Sequence, residues 1–271
     1  MSNGKPVIAL MGEFSAGKST LANLLIGEGV SPVKVTATQL PPVWFTFGDG
    51  NPIVVGVDGS ETEILIEDLG DVDVNSTAYV RIYAMADILG IMDLMDMPGN
   101  SDPNMSSDVW ARSIHHATGV VWCTHANQAW RQSEAAVWEE LPPELYANSI
   151  LLMTRFDKIT GERDRARLLR RVATETEGLF RDVLPISLIE AQGAGDDRAV
   201  WEASGAEAFV KQLLDIVMNP GPVDHSSTAD EEPSPLRVKS SDDAGGGVMP
   251  RRIKKRLPEE RPSVRTQRPS A

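Results

Sequence analysis

The stretch MGEFSAGKSTLANLL, residues 11–25, contains a glycine, four further residues and then Gly-Lys-Ser. This spacing is typical of a phosphate-binding loop, in which glycines let successive backbone N–H groups turn inward toward phosphate oxygens. The apolar run PVIALM (6–11) precedes the loop and a helical pattern follows it. The N-terminus of that helix would add the positive end of its dipole to the site. The sequence therefore predicts a strand, a phosphate loop and a helix in that order.

The residue types in this loop assign roles to individual side chains. Lys18 is expected to bridge the β- and γ-phosphates of a nucleotide, and the hydroxyl of Ser19 is expected to coordinate Mg²⁺. Glu13 is expected to face solvent, because a carboxylate aimed at the phosphates would repel them. The predicted nucleotide-binding loop consists of Gly12, Glu13, Phe14, Ser15, Ala16, Gly17, Lys18, Ser19 and Thr20.

Further short apolar runs, at 119–124 and 149–154, are typical of strands buried on both faces of a parallel sheet. Segments with helical spacing lie between the runs, at 18–27, 106–118, 131–140, 162–177 and 204–218. This alternation predicts an α/β protein with the three-layer P-loop NTPase fold, a mainly parallel central sheet flanked by helices. From residue 219 onward, Pro, Gly, Ser and acidic residues occur without apolar periodicity. We therefore predict a domain over 1–218 and a disordered tail over 219–271.

The charge and composition narrow the class of protein. Of the 271 residues 41% are hydrophobic, and residues 1–218 carry 16 lysines and arginines against 31 acidic residues. Such an acidic domain argues against nonspecific nucleic-acid binding, which depends on basic side chains. The single cysteine, Cys123, excludes an internal disulfide and is interpreted as a buried thiol. No run approaches the roughly 18 apolar residues of a membrane span, so a cytoplasmic location is expected.

A second set of candidate residues lies in IMDLMDMPGN (91–100). Asp96, at the end of an apolar strand, could hold a water molecule on Mg²⁺. Gly99, three residues later, could donate its N–H to the γ-phosphate. Asp93 is the competing carboxylate, but it lies inside the run without a glycine at the same distance, which favours a structural role for it.

A third set, LLMTRFDKIT (151–160), follows another predicted strand. Asp157 could accept two hydrogen bonds from N1–H and N2–H of guanine, a donor pair that adenine lacks. Arg155, beside Thr154, could pack its aliphatic stem under the base. The order of the three sets favours a GTP site, and the alternative is an ATP-using P-loop enzyme such as a small kinase.

Together these segments, with TATQLPP (36–42) and THANQAWRQSE (124–134), resemble the GTPase domain of the dynamin superfamily, especially its bacterial members, over about residues 5–190. The resemblance implies hydrolysis of GTP to GDP and phosphate with Mg²⁺ and, as a further candidate cofactor, K⁺. It implies catalytic roles for Ser15, Lys18 and Thr38. Thr38 matches the switch threonine that closes over Mg²⁺ and the attacking water, with Thr36 as the alternative. Ser187 falls in the loop that the family places over the guanine base.

Two departures from the family bear on the activity. Phe14 stands where dynamins have a glutamine that helps to position the catalytic water, so slow unaided turnover is expected. About 50 residues follow residue 218, where dynamins have a long helical stalk, so membrane scaffolding is not expected of them. The resemblance still implies a nucleotide-dependent homodimer, or contact with a dynamin-like partner, through the GTPase domain. The alternative is a slow-cycling switch in which GTP gates a protein partner.

Some further residues have two interpretations each. The cluster RRIKKR (251–256) is either a solubilising charge run or a site for acidic headgroups at the inner face of the membrane or for an acidic partner. His115 and His116 are expected to be surface or partly packed residues and not metal ligands. Trp122 and Trp138 are expected in the core, and Trp130 either in the core or facing a partner.

Overall fold

The computed structural model describes residues 4–27, 40–99 and 107–221, with the backbone alone at 107 and 108. The predicted switch residue Thr38, its alternative Thr36 and the basic cluster at 251–256 lie outside these ranges. Within them, every helix is too short or too polar to cross a lipid bilayer.

The described residues form one nine-stranded sheet. Its strands are β1 (Val7–Gly12), β2 (Val43–Phe47), β3 (Ile53–Gly56), β4 (Glu61–Glu63), β5 (Thr77–Ala84), β6 (Asp93–Asp96), β7 (Gly119–His125), β8 (Ile150–Thr154) and β9 (Asp182–Pro185). They are arranged in the order β4-β3-β5-β2-β6-β1-β7-β8-β9. Five adjacent strands run parallel to one another, namely β6, β1, β7, β8 and β9, whereas β2 is antiparallel to β6. The prediction of a mainly parallel sheet is confirmed.

Helices cover both faces of this sheet. They are α1 (Lys18–Ile26), α2 (Ser107–Ile114), α3 (Gln132–Glu139), α4 (Glu162–Glu175), α5 (Leu188–Gly193), α6 (Arg198–Ala203) and α7 (Ala206–Met218). Helices α1, α5 and α7 pack into one hydrophobic cluster, and α2, α3 and α4 pack into the other. The predicted three-layer P-loop NTPase fold is confirmed, with α5 and α6 as additions.

Strand β1 shows why the run at 6–11 is continuously apolar and does not alternate between apolar and polar residues. Ile8 and Leu10 point into the cluster that contains α1, whereas Ala9 and Met11 point into the cluster that contains α3. A strand covered on both faces needs apolar side chains at every position. Cys123, on the adjacent strand β7, is fully buried, and burial raises the pKa of its thiol to about 12.

The tryptophans expected in the core are buried. Trp122, Trp130 and Trp138 pack edge to face, with ring centroids 5.7 to 6.4 Å apart. Phe180 lies 4.1 Å from the ring of Trp138. Trp130 is 8% exposed, so the core interpretation is confirmed for it.

Of the two histidines after α2, His115 is exposed and His116 is partly packed, as expected. The ring of His116 lies 5.2 Å from that of Trp44 and 5.6 Å from that of Tyr79. Burial, with the charges of His115 and Arg81, lowers the pKa of His116 to about 4. No group of three or more potential metal ligands of the His, Cys, Asp and Glu types occurs in the described parts of the chain.

Asp93, the competing carboxylate of β6, has a structural role. It accepts hydrogen bonds from Trp44 Nε1 at 3.0 Å and Thr46 Oγ1 at 2.9 Å. Its Oδ1 also lies 2.8 Å from Lys5 Nζ. These contacts satisfy the carboxylate at the start of β6, whereas Asp96 lies at the other end of the strand.

Candidate functional site

The phosphate loop joins the end of β1 to the start of α1. Gly12 and Gly17 have positive φ angles of 133° and 97°. A Cβ at Gly12 would lie 2.1 Å from the carbonyl oxygen of Cys123, and one at Gly17 would lie 3.0 Å from Leu188 Cδ1. Glycine at these two positions therefore allows the loop to pass against β7 and turn into the helix.

Lys18 lies at the inner side of the loop. Its ammonium donates hydrogen bonds to the carbonyl oxygens of Gly12 and Glu13, both at 2.9 Å. Burial lowers the pKa of Lys18, and the nearby carboxylate of Asp96 opposes that shift. The first residue of α1 thus carries a cation that is held inside the loop, where the predicted contact with phosphates would occur.

Ser19 and Asp96 come together beside this lysine. Ser19 Oγ donates to Asp96 Oδ2 at 3.3 Å, and the parallel pairing of β1 with β6 sets Asp96 opposite Leu10. Burial raises the pKa of Asp96 to about 6, against the opposing effects of Lys18 and Ser19. Its Oδ1 is buried and has no hydrogen-bond partner among the described residues. A hydroxyl beside an unsatisfied carboxylate oxygen fits Mg²⁺, which binds a few protein oxygens and takes its other ligands from phosphates and water.

Gly99 lies against the phosphate loop. A Cβ at this position would be 3.0 Å from Phe14 Cα and 3.1 Å from Phe14 N. A side chain at this position would crowd the backbone of Phe14, and glycine avoids that contact. The structure therefore brings the predicted γ-phosphate contact to the loop, although the strand itself ends at Asp96.

The predicted base-recognition residues are hydrogen-bonded to the phosphate loop. Thr154, buried at the end of β8, donates through Oγ1 to the carbonyl oxygen of Ala16 at 2.8 Å. Arg155 has a left-handed backbone, with φ of 54°, and its guanidinium donates to the carbonyl oxygen of Ser15 at 3.2 Å. These two contacts join segments about 140 residues apart into one site.

Asp157 lies next in this segment and contacts two polar side chains. Its Oδ1 accepts from Ser187 Oγ at 3.2 Å, and its Oδ2 lies 3.1 Å from Lys158 Nζ. Burial raises the pKa of Asp157, but Lys158 and Ser187 outweigh that effect and hold the pKa below its usual range. The carboxylate is therefore ionised at neutral pH and able to accept hydrogen bonds. Ser187, the N-cap of α5, thus lies beside Asp157, in keeping with the family resemblance that places both residues at the guanine base.

A cavity of about 630 Å³ connects these groups. Its lining includes residues 14–20, 96–99 and Arg155, Asp157 and Lys158. This volume lies within the range of about 300 to 1,000 Å³ that is common for ligand pockets. Leu188 and Ile189 of α5 add an apolar wall that sequence reasoning missed, because the short helix gave no periodic signal.

The expectation that Glu13 faces solvent is wrong. The residue is 8% exposed, and the cavity lining, which includes the neighbouring Phe14, does not include it. Its Oε1 accepts from Ser133 Oγ at 2.9 Å, and its Oε2 lies 3.2 Å from the guanidinium of Arg131. These partners precede or begin α3, so their charge and hydroxyl satisfy the carboxylate away from the phosphate site.

A second buried carboxylate supports the segment that carries these partners. Glu134 accepts from Trp122 Nε1 at 3.1 Å, Thr124 Oγ1 at 2.9 Å and the backbone N–H of Arg131 at 2.9 Å. The backbone N–H of Trp130 donates to the same threonine oxygen at 3.2 Å. The chain between β7 and α3 is therefore fixed by hydrogen bonds to buried groups.

Comparisons with known proteins show which chains this protein resembles. A family model described as "Dynamin family" matches residues 8–154. Dynamin-like protein 2 of Campylobacter jejuni is 25% identical over 218 residues, which cover 77% of this chain and 34% of that protein. Two structures of an oligomerised bacterial dynamin pair, associated with long-range sensing and tethering of membranes, have TM-scores of 0.56 and 0.53. They are 22% and 21% identical and match 78% of this chain, which spans about a third of the length of these relatives.

Proposed function

The chain belongs to the dynamin family and carries a GTPase domain, and we propose that this domain holds GTP with Mg²⁺ and hydrolyses it to GDP and phosphate. The observation that carries the proposal is that the segment leading to Asp157 is hydrogen-bonded to the phosphate loop. Thr154 and Arg155 bond to the loop carbonyls of Ala16 and Ser15. A base-recognition segment and a phosphate loop that are held together in this way can bind the base and the phosphates of one nucleotide.

The proposed roles combine the positions of the side chains with the family resemblance. Lys18 contacts the β- and γ-phosphates, and Ser15 stabilises the charge that develops between them. Gly99 donates its N–H to the γ-phosphate. Thr154, Arg155, Asp157 and Ser187 hold the guanine base. Catalysis of this kind depends on positioning and charge stabilisation more than on a general base.

Ser19 would bind Mg²⁺ through its hydroxyl, and Asp96 would hold a water molecule on the ion. When bound, the ion would neutralise charge on the phosphates. Thr38 is proposed to complete this site over the attacking water. K⁺ is proposed as a second cation for turnover.

Replacing Ser19 by alanine is expected to raise the Mg²⁺ concentration needed for half-maximal GTP binding by at least about tenfold. The substitution removes the hydroxyl that lies 3.3 Å from Asp96 and is proposed to be a metal ligand. A Mg²⁺ titration with a fluorescent GTP analogue measures the effect. Ser60→Ala, in the exposed turn between β3 and β4, is the control and should leave the titration unchanged. Equal Mg²⁺ requirements in both variants would contradict the proposed metal site.

We further propose that turnover requires a nucleotide-dependent homodimer or a dynamin-like partner. Phe14 stands where dynamins have a glutamine that helps to position the catalytic water. The site of a single copy therefore lacks that catalytic group. Phe14 is 67% exposed at the edge of the cavity, where a second molecule can approach. A cytoplasmic location with peripheral membrane contact through 251–256 completes the proposal, and sedimentation of the full chain with anionic vesicles tests that contact.

Phosphate release per molecule is expected to rise with protein concentration, and further with K⁺, because each dimer completes a site that one copy completes poorly. Release from GTP should be measured across a concentration series with K⁺ or Na⁺ as the only monovalent cation. A rate per molecule that stays constant over the series would contradict dimer-coupled hydrolysis. Binding of GTP with negligible release throughout would favour the alternative, a slow-cycling switch that gates a protein partner.

A further inference from the structure

Glu13 has contacts that the proposed chemistry does not use. Its carboxylate is bound by Ser133 and Arg131, and its carbonyl oxygen accepts hydrogen bonds from Lys18 Nζ at 2.9 Å and Ala16 N at 3.2 Å. One residue therefore links the start of α3 to the lysine that is proposed to contact the phosphates. The residues that follow it, Phe14 and Ser15, line the cavity.

A carboxylate in a phosphate loop is electrostatically unfavourable for a triphosphate. The charge of Glu13 is close enough to Lys18 to raise the pKa of that lysine, although burial lowers it overall. An uncompensated carboxylate at this position would also repel a polyanion bound to the same loop. Arg131 supplies the opposite charge, on a side chain that is 45% exposed.

The segment that carries Arg131, the partner of Glu13, is itself fixed in position. Glu134 accepts from the backbone N–H of Arg131, and the preceding residue, Trp130, has a left-handed backbone with φ of 58° and is packed in the aromatic core. A side chain held by such a supporting layer can position the groups next to it.

We propose that Glu13 is a positioning residue for the nucleotide. Its pairing with Arg131 and Ser133 holds the loop from Phe14 to Lys18 in place and neutralises a carboxylate carried by the phosphate loop, on the side that does not line the cavity. The inference rests on the proposed function, since it concerns the same GTP site. It assigns to the start of α3 an effect on nucleotide affinity that acts through Glu13.

The proposal predicts that the second of two substitutions reverses the loss of affinity caused by the first. A merely structural role predicts instead that the two losses of affinity add. Arg131→Met leaves the carboxylate of Glu13 without its counter-charge, so affinity for a triphosphate should fall. Adding Glu13→Gln to that variant removes the unpaired charge while keeping an amide oxygen that can accept from Ser133. The double variant should therefore bind the triphosphate more tightly than Arg131→Met alone.

The test is a double-mutant cycle in the full chain. Affinities for a nonhydrolysable fluorescent GTP analogue and for fluorescent GDP are measured for the wild type, Arg131→Met, Glu13→Gln and the double variant. We expect Arg131→Met to weaken binding of the GTP analogue by about fivefold or more, GDP to be affected less, and the double variant to recover most of the loss. Arg131→Lys keeps the charge and should retain most of the affinity.

Arg198→Met is the matched control, because it removes an arginine of an ion pair with Glu207, 2.9 Å long, on α6 and α7. Thermal unfolding without nucleotide is recorded for every variant, so that loss of folded protein is separated from loss of affinity. A double variant that binds no better than Arg131→Met, or equal losses for GTP analogue and GDP, would overturn the proposal. The cycle depends on binding alone: a wild type that binds GTP without cleaving it would end the hydrolysis proposal and leave this test valid. A wild type that binds no GTP would overturn both.

Discussion

Replacing Asp157 by asparagine is expected to weaken GTP binding by about 10⁴-fold and to create a preference for xanthosine triphosphate. The ionised carboxylate is proposed to accept from N1–H and N2–H of guanine, and an asparagine places an amide donor against one of them. Xanthine has a carbonyl oxygen in place of the amino group, so it can accept from the new amide. The unpaired polar groups that remain in the GTP complex account for the size of the loss.

Competition binding with GTP, XTP and ATP measures this switch. Asp196→Asn, an exposed substitution near α6, is the control and should leave the order of affinities unchanged. The variant keeps Ser187 and Lys158, whose Oγ and Nζ contact the carboxylate of Asp157 in the wild type. A variant that still prefers GTP to XTP would show that another residue selects the base, and tight ATP binding by the wild type would favour the ATP-using alternative.

Replacing Lys18 by alanine is expected to lower phosphate release from GTP by at least about 10²- to 10³-fold. The substitution removes the buried cation that is proposed to stabilise charge on the β- and γ-phosphates. It also removes two hydrogen bonds to the loop carbonyls of Gly12 and Glu13, so the free energy of unfolding should fall by about 1 to 2 kcal/mol.

Phosphate release is measured at saturating GTP, with urea unfolding of the same samples. Lys211→Ala, on an exposed position of α7, is the control for loss of a lysine and should turn over like the wild type. A folded Lys18→Ala variant that releases phosphate at the wild-type rate would show that Lys18 is not needed for hydrolysis.

The parts of the site that could be predicted from the sequence are those whose chemistry lies in a few consecutive residues. The phosphate loop, Asp96 with Gly99, and the segment around Asp157 each follow one strand, and the ends of strands set their positions. In β6, spacing to a glycine distinguished Asp96 from Asp93, and the contacts of Asp93 with Trp44, Thr46 and Lys5 agree with that choice.

The parts that could not be predicted depend on contacts between distant residues. Glu13 is buried because Arg131 and Ser133, about 120 positions away, provide its partners, and nothing in the loop sequence indicates them. Ser187 contacts Asp157 across 30 residues, and only the family resemblance, not a local pattern, places it near the base. Similarly, the antiparallel pairing of β2 with β6 depends on the register between segments about 50 residues apart. The spacing of residues within one segment does not identify which distant residue each side chain or strand will contact.

Phosphate release from GTP, ATP and XTP by the wild-type chain and by Asp157→Asn, measured side by side, tests the central claim most directly. Hydrolysis at a site in which Asp157 selects the base predicts release from GTP alone by the wild type and from XTP alone by the variant. Release from ATP as fast as from GTP by the wild type, or an unchanged GTP preference in the variant, would contradict the claim.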